Sequence, residues 1–262
     1  LARQLLEKTY DIAYPKVIAV HLTGAPRPGT GPQDVALALI GATFREGIVK
    51  NAVLEFFGPG VEHLSMDYRS GIDVMTTETA CLSSVWSTDD ITREHLDILG
   101  RGDQFQSQAP AEGAYYDALI EIDLSTVEPM IALPFHPSNA YTIREFKENM
   151  DELLHQVDED TMRQLKLKNQ PASLREKIVD GRFMVDQGVI AGCSGGTYQN
   201  LVRAAQILDG HSIGADAFWL SCYPGSMPIH LELTKNGYIA SLMASGASIR
   251  SCFCGPCFGA GD

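Results

Sequence analysis

Short apolar runs alternate with amphipathic stretches along most of the chain. The continuous apolar run KVIAVHLTG (16–24) predicts a buried strand, and apolar residues at helical spacing after Pro32 predict a helix over 31–47. The same alternation returns in the second half, where 182–196 and 216–226 are predicted as strands that run into glycine-containing turns. Strands that alternate with helices favour parallel pairing, so the predicted fold class is α/β.

The other predicted elements follow the same alternation. Strands that end in turns are predicted within 51–60 and 247–257, and a strand followed by an extended segment is predicted over 115–135. Further helices are predicted at 61–84, 143–170, 197–210 and 227–238. The helix over 143–170 carries many charges and is predicted to be an exposed insertion with a solvated face. The proline-containing stretch PFHPSNAY (134–141) is the predicted boundary, which divides the chain into domains at 1–138 and 139–262.

Composition limits the classes of function. The chain has 262 residues, of which 45% are hydrophobic and 20% charged, with a formal net charge of −13. We expect no nucleic-acid partner, because such a chain has no basic surface to neutralise a row of phosphates. We also expect no membrane partner, because no apolar run approaches the ~20 residues of a membrane helix.

The start of the chain bears on its localisation. The stretch LARQLLEKTYD lacks the basic leader and apolar core of a signal peptide, so a cytoplasmic protein is predicted. Because the first residue is Leu1 and not Met, we also expect the chain to begin inside a longer protein.

Three of the six cysteines lie in the stretch CFCGPC (252–257) near the end of the chain. Cys193 and Cys254 each follow a predicted strand that runs into a glycine-containing turn. Ligands of open α/β sheets collect beyond the carboxyl ends of the strands, so both cysteines, together with Cys257, can converge on one crevice. Without a secretory leader, reduced thiols are expected in preference to disulfides.

The CGPC sequence is compatible with several kinds of chemistry. A redox dithiol needs this motif at the start of a helix inside a complete small domain, and only FGAGD follows here. A structural zinc site could use Cys252, Cys254 and Cys257. Cys193 or His230 would then supply the fourth ligand, but the usual paired CxxC signature is missing. Buried structural cysteines are the plainest alternative, although glycine-rich turns are poor places to bury them. An iron–sulfur cluster is the remaining interpretation.

Four segments resemble, in order, characteristic segments of the aconitase superfamily. They are DVALALIGATFREGIVKNAVLEFFGPGVEHLSMDYRSGIDVMTTETACLSS, YYDALIEIDLSTVEPMIALPFHP, VDQGVIAGCSGGTYQNLVRAAQIL and YPGSMPIHLELTKNGYIASLMASGASIRSCFCGPCFGAG. Because they cover nearly the whole chain, the chain is identified as a member of that superfamily. The resemblance implies aconitase-like three-layer α/β/α domains with mostly parallel sheets.

The resemblance also implies roles for four residues. The family holds a [4Fe–4S] cluster on three cysteines, which correspond to Cys193, Cys254 and Cys257. Thiolates are the soft ligands that such clusters need, and three of them leave one iron open to act as a Lewis acid on a hydroxy-acid substrate. Glu78 corresponds to the glutamate that handles the proton of the hydroxyl group. The sequence pattern alone would make Glu78 a surface carboxylate on a helix.

The differences from the family's pattern shape the functional hypothesis. Val74 and Gly195 stand where the family has asparagines, so a divergent hydro-lyase (hydratase or dehydratase) acting on a small hydroxycarboxylic acid is implied. The family's DSHT segment, the arginines after CxxC and the domain with the catalytic serine are not found in 1–262. We therefore expect a piece of a longer lyase that depends on the remaining domains of its parent chain and is inactive alone. The alternative is a non-catalytic binding or regulatory protein with an empty or zinc-occupied cysteine site.

Overall fold

Two parallel sheets organise the computed structural model, which describes residues 2–169, 172–215 and 217–261. The strands of the first sheet are β1 (Val17–Thr23), β2 (Val53–Phe57), β3 (Ser83–Trp86) and β4 (Ala118–Asp123). They are hydrogen-bonded in the order β3-β2-β1-β4, and every neighbouring pair is parallel. The prediction of an α/β fold with mostly parallel sheets is confirmed.

The remaining strands form two small antiparallel pairs and the second parallel sheet. The antiparallel pairs are β5 (Met130–Ala132) with β6 (Ala140–Thr142), and β7 (Ile178–Val179) with β8 (Arg182–Phe183). The second sheet contains β9 (Gln187–Ile190), β10 (Trp219–Cys222) and β11 (Ser248–Ile249). Its strand order is β11-β10-β9, so β10 lies between the other two.

Helices connect these strands. The helices are α1 (Ala2–Glu7), α2 (Pro32–Thr43), α3 (Met66–Asp73), α4 (Asp90–Ile98), α5 (Ile143–Glu148), α6 (Met150–Leu165), α7 (Gly192–Gly195), α8 (Tyr198–Leu208), α9 (Met227–Lys235) and α10 (Tyr238–Ala244). Single 3₁₀ turns include Pro59–His63, Val74–Thr79 and Gly255–Phe258. In the described ranges, no helix combines the length and the apolar character that crossing a bilayer requires.

Strand β1 is the centre of the first sheet because it is apolar on both faces. Ile18, Val20 and Leu22 are at most 1% exposed, and Ala19 between them is also buried. Val20 pairs with Phe56 of β2 on one side and with Ile120 of β4 on the other. Parallel strands covered on both faces show continuous apolar runs of this kind, and each buried aliphatic side chain contributes roughly 1.5–3 kcal/mol.

Helices α5 and α6 correspond to the predicted charged insertion, but they are not wholly exposed. Phe146, Met150, Leu154 and Val157 are buried in a small core together with Leu133. Most charges of α6 lie on its exposed side, so the prediction of a solvated face holds for that side, whereas Asp158 is buried and accepts a hydrogen bond from Ser173. The predicted boundary, 134–141, contains the turn between β5 and β6, and the division into domains at 138 stays a prediction.

The stretch 61–84, predicted to be mostly helical, contains several short elements. Ser65 caps α3 by accepting a hydrogen bond from the backbone of Tyr68, a 3₁₀ turn follows, and Ala80 takes a left-handed conformation with a φ of 62°. The edge strand β3 then begins at Ser83. Helical residues therefore predominate in this stretch, as predicted, but they are divided between α3 and 3₁₀ segments, and the last two residues belong to a strand. Helices α1, α4 and α10 were not predicted, and α7 lies where a glycine-containing turn was predicted.

Candidate functional site

The three predicted ligand cysteines lie beyond the carboxyl ends of strands in the second sheet. Cys193 lies in α7, which begins directly after β9, and Cys254 and Cys257 follow β11. Because β9 and β11 run parallel on either side of β10, their carboxyl ends share one edge of the sheet. A Cβ atom added to Gly192 would be 3.0 Å from Sγ of Cys257, so this thiol packs on the backbone next to Cys193.

Cys254 and Cys193 lie close enough to Cys257 to affect its ionisation. The pKa of Cys257 is raised, first by burial of its sulfur, then by the charge and hydrogen bonding of Cys254, and then by the charge of Cys193. All three residues are nevertheless exposed as a whole, so a ligand can approach them. Cys222 differs, because complete burial in β10 raises its pKa to about 11 and keeps it a neutral thiol.

The chemistry of this donor set decides which inorganic group it suits. The described residues contain no group of three or more His, Cys, Asp or Glu side chains that could hold a single metal ion. A four-iron cluster does not need its protein ligands gathered around one metal ion, since each thiolate would bind a separate iron. Three soft thiolates on glycine-containing turns suit such a cluster and do not suit a hard cation.

The loop that carries Cys193 is fixed by hydrogen bonds from the first half of the chain. The Ser194 hydroxyl donates to the carbonyl of Gly71 (3.1 Å) and accepts from Nε2 of Gln33 (3.0 Å). Nδ2 of Asn200 donates to the carbonyls of Ser194 (3.2 Å) and Gly195 (3.4 Å). These supporting residues were missed in the sequence, because only the folded chain brings α2, α3 and α8 to this loop.

Close backbone packing joins the turn after β9 to the turn after β10. The backbone N–H of Gly225 donates to the carbonyl of Gly196 at 2.8 Å. A Cβ atom added to Gly196 would be 2.4 Å from the carbonyl oxygen of Tyr223 and 2.7 Å from the nitrogen of Gly225. Only glycine fits at Gly196 without a backbone shift, so this contact sets the position of the Cys193 turn.

Glu78 lies in the 3₁₀ turn Val74–Thr79, which contacts the α7 segment that contains Cys193. Its side chain is 46% exposed, and one of its oxygens, Oε2, is 4.0 Å from Nε2 of His136. The turn begins at Val74, the position where the family has asparagine. A half-exposed carboxylate can exchange a proton with a molecule that contacts it. Nothing in the local sequence pattern indicated the contact with His136.

An open cavity of about 760 Å³ adjoins the Cys193 loop. Its lining combines apolar side chains from β9 and α8 with polar groups that include Gln33, Asn200 and Arg203. Ser194 and Gly195 contribute to its wall, whereas Glu78 and the three cysteines do not line it. The cavity is large enough for a small molecule and borders the thiol site without containing it.

The fold and the site together define an α/β protein with parallel sheets and with three cysteines beyond the carboxyl ends of its strands. The family model for "Aconitase family (aconitate hydratase)" matches residues 1–262. The chain therefore belongs to the aconitase family, and the membership predicted from the four sequence segments is confirmed.

Relatives of this chain include hydratases and dehydratases. The chain is similar to a mitochondrial aconitate hydratase of Schizosaccharomyces pombe, with 31% identity over 95% of the chain and 29% of the relative. It is also similar to a 3-isopropylmalate dehydratase large subunit of Elusimicrobium minutum, with 29% identity over 97% of the chain and 52% of the relative. A 2,3-dimethylmalate dehydratase large subunit of Eubacterium barkeri is 29% identical over 94% of the chain and 50% of the relative.

The chain thus spans about half the length of the large subunits and less than a third of the aconitate hydratases that it matches. Similarity to a family of hydratases supports a hydro-lyase as the kind of protein. The cytoplasmic localisation stays a prediction, since relatives with mitochondrial names exist.

Proposed function

We propose that the chain is the cluster-binding part of a hydro-lyase that adds water to, or removes it from, a small hydroxycarboxylic acid. The observation that carries this proposal is the convergence of Cys193, Cys254 and Cys257 at one sheet edge, next to the turn that holds Glu78. The relatives' names support the substrate class, because two of them are dehydratases of substituted malates.

The thiolates of Cys193, Cys254 and Cys257 would hold a [4Fe–4S] cluster. When bound, the cluster supplies a Lewis-acid iron for a substrate oxygen. Glu78 accepts a proton at its carboxylate in one direction of the reaction and returns it in the other, which its half-exposed position permits. The Ser194, Gln33 and Asn200 hydrogen bonds hold the Cys193 turn in place while the substrate binds.

We further propose that this chain does not complete the reaction alone. It covers 29–52% of the lengths of the relatives described above, so the groups that grip the substrate would come from further domains of a longer parent protein. On this view the cavity beside the Cys193 loop faces one of those domains or the substrate. Comparing aconitate and substituted-malate turnover by the isolated chain with turnover by the full-length product of its gene tests this point. Enzyme-like rates from the isolated chain would contradict it.

Anaerobic reconstitution with iron and sulfide tests the cluster assignment directly. The chain should turn brown and retain iron and sulfide in the amounts of one four-iron cluster. Cys193→Ser, Cys254→Ser and Cys257→Ser should each greatly reduce the retained iron, because each removes one of three protein ligands.

Cys252→Ser is the matched control, since Cys252 lies next to the motif but outside the proposed ligand set. It should retain the cluster at the wild-type level. A colourless protein with one tightly bound zinc that is lost in Cys252→Ser would instead support the zinc alternative. A protein that retains no cluster and stays inactive at full length, with its cysteine site empty or occupied by zinc, would support the non-catalytic alternative.

A further inference from the structure

We infer that His136 is a positioning residue for Glu78, a role that rests on the proposed function of Glu78 as the proton-transfer group. Nε2 of His136 is 4.0 Å from Oε2 of Glu78, and the two side chains are 37% and 46% exposed. The two residues come from different elements, the 3₁₀ turn after α3 and the turn between β5 and β6. A small side-chain adjustment would make this contact a hydrogen bond.

Ser138 determines which nitrogen of the ring carries the hydrogen. Its backbone N–H donates to Nδ1 of His136 at 3.1 Å, so Nδ1 must present a lone pair. The Ser138 hydroxyl is 3.0 Å from the same nitrogen and can donate as well. The neutral ring therefore has its hydrogen on Nε2, the nitrogen that is directed at Glu78.

The orientation of the ring is fixed by packing and by the turn that carries it. His136 stacks on Phe44 at the end of α2, with ring centroids 3.9 Å apart and planes inclined by 24°. The backbone N–H of Asn139 donates to the carbonyl of His136 at 2.9 Å, and Nδ2 of Asn139 donates to the carbonyl of Pro134 at 2.8 Å. These contacts restrict the ring of His136, whose Nε2 lies 4.0 Å from Oε2 of Glu78.

A fixed donor beside Oε2 has a clear consequence for proton transfer. The N–H group limits the orientations of the Glu78 carboxylate, and this restriction is the positioning role that we assign to His136. The His136–Glu78 pair is partly exposed, so its effect on rate should be modest, as for other solvated pairs. His136 does not touch the reacting atoms and acts through Glu78.

Nuclear magnetic resonance of the histidine ring nitrogens tests the contact without any reaction. When the protein is labelled with ¹⁵N-histidine and studied at pH 8, His136 should show a single tautomer with its hydrogen on Nε2. The substitution Glu78→Gln should shift the ring resonances of His136. His155 is the matched control, because it forms an exposed pair with Glu159 at 3.6 Å within one helix and has no described backbone donor on its ring. A mixture of tautomers at His136, or no response to Glu78→Gln, would overturn the inference.

Kinetics of the full-length, cluster-loaded enzyme test the positioning role. His136→Ala should lower kcat by about 2–5-fold with little change in KM, and His136→Gln, which keeps an N–H donor, should recover much of that loss. His155→Gln should leave kcat unchanged. Equal losses in His136→Ala and His136→Gln would contradict the role even if the tautomer is as inferred. If wild type is inactive while the spectra show the contact, the proposed function fails and the contact stands.

Discussion

The two parallel sheets position their functional groups by different means. Around the first sheet, side chains make the fixed contacts: a buried arginine holds the segments that lead to the turn of Glu78. Around the second sheet, hydrogen bonds from Gln33 and Asn200 hold the Cys193 loop, and glycines in addition let the backbone of neighbouring turns approach closely. The difference suits the two kinds of group. The proton transfer proposed for the carboxylate needs one orientation, whereas the cluster binding proposed for the thiolates needs room for a bulky ligand.

Arg69 is the main fixed point of the first region. Its side chain is 2% exposed and donates to the carbonyls of Val61 and Leu64 and to the carboxylate of Asp89. Asp89 also caps α4 by accepting from the backbone of Thr92. One buried guanidinium therefore joins the 3₁₀ turn after β2, helix α3 and the start of α4.

The largest expected effect comes from breaking this side-chain network. Arg69→Met should lower the free energy of unfolding by about 3–5 kcal/mol, because it leaves Asp89 and two carbonyls without their buried partner. Arg93→Met is the control: Arg93 is 57% exposed and its ion pair with Asp90 spans 3.8 Å, so a loss below about 1 kcal/mol is expected. Urea unfolding measures both. Similar losses in the two variants would show that the first region does not depend on Arg69.

A methyl group added to the backbone contact should affect the second region next most strongly. Gly196→Ala should cost about 1–3 kcal/mol and weaken cluster retention, because its Cβ would be 2.4 Å from a carbonyl oxygen. The neighbouring Gly195→Ala is the matched control, since the nearest atom to its Cβ would be 4.0 Å away. Urea unfolding and iron retention after reconstitution measure the effect. Equal stability of both variants would mean that the turns can separate without cost.

The smallest expected effect is a pH dependence confined to the first region. Burial raises the pKa of Asp89. The hydrogen bonds and the charge of Arg69, together with hydrogen bonds from Thr92, outweigh burial and leave this pKa below its ordinary value. A carboxyl whose pKa is lower when folded stabilises the protein above its unfolded pKa of about 3.9, and this stabilisation is lost as the pH falls through the folded value.

The stability difference between wild type and Asp89→Asn should therefore be largest near neutral pH and shrink below about pH 4. Asp90→Asn, at a fully exposed neighbouring position, should show a small difference at every pH. Urea unfolding from pH 7 to pH 3 measures both variants. A difference for Asp89→Asn that stays constant over this range would contradict the paired carboxylate.

The sequence predicted those features that depend on local pattern. The apolar run of β1, the helix after Pro32 and the strand before Cys193 were predictable, because a strand buried on both faces and a helix after proline have local signatures. Strand β3 could not be recognised, since its four residues, Ser83–Trp86, are too short and too half-exposed for a pattern.

Contacts between distant segments were also beyond local pattern. Gln33 and His136 are ordinary polar residues in the sequence, and only the packing of α2 against its neighbours gives them partners at Ser194 and Glu78. The convergence of the cysteines was partly predictable, because it follows from strand direction alone. The closeness of Cys257 to Gly192 was not, since it depends on how two turns pack.

The reactivity of Cys222 reports whether the second sheet is folded. This thiol is completely buried in the middle strand of the second sheet and stays protonated at neutral pH, while the three site cysteines are exposed a few residues beyond the same sheet. The rates at which a thiol reagent modifies these cysteines therefore report two different events. Modification of the site cysteines reports whether a ligand covers them, and modification of Cys222 reports opening of the sheet. Loss of a bound cluster and loss of the fold, which are easily confused in oxygen-sensitive proteins, become separable by which cysteine is modified first.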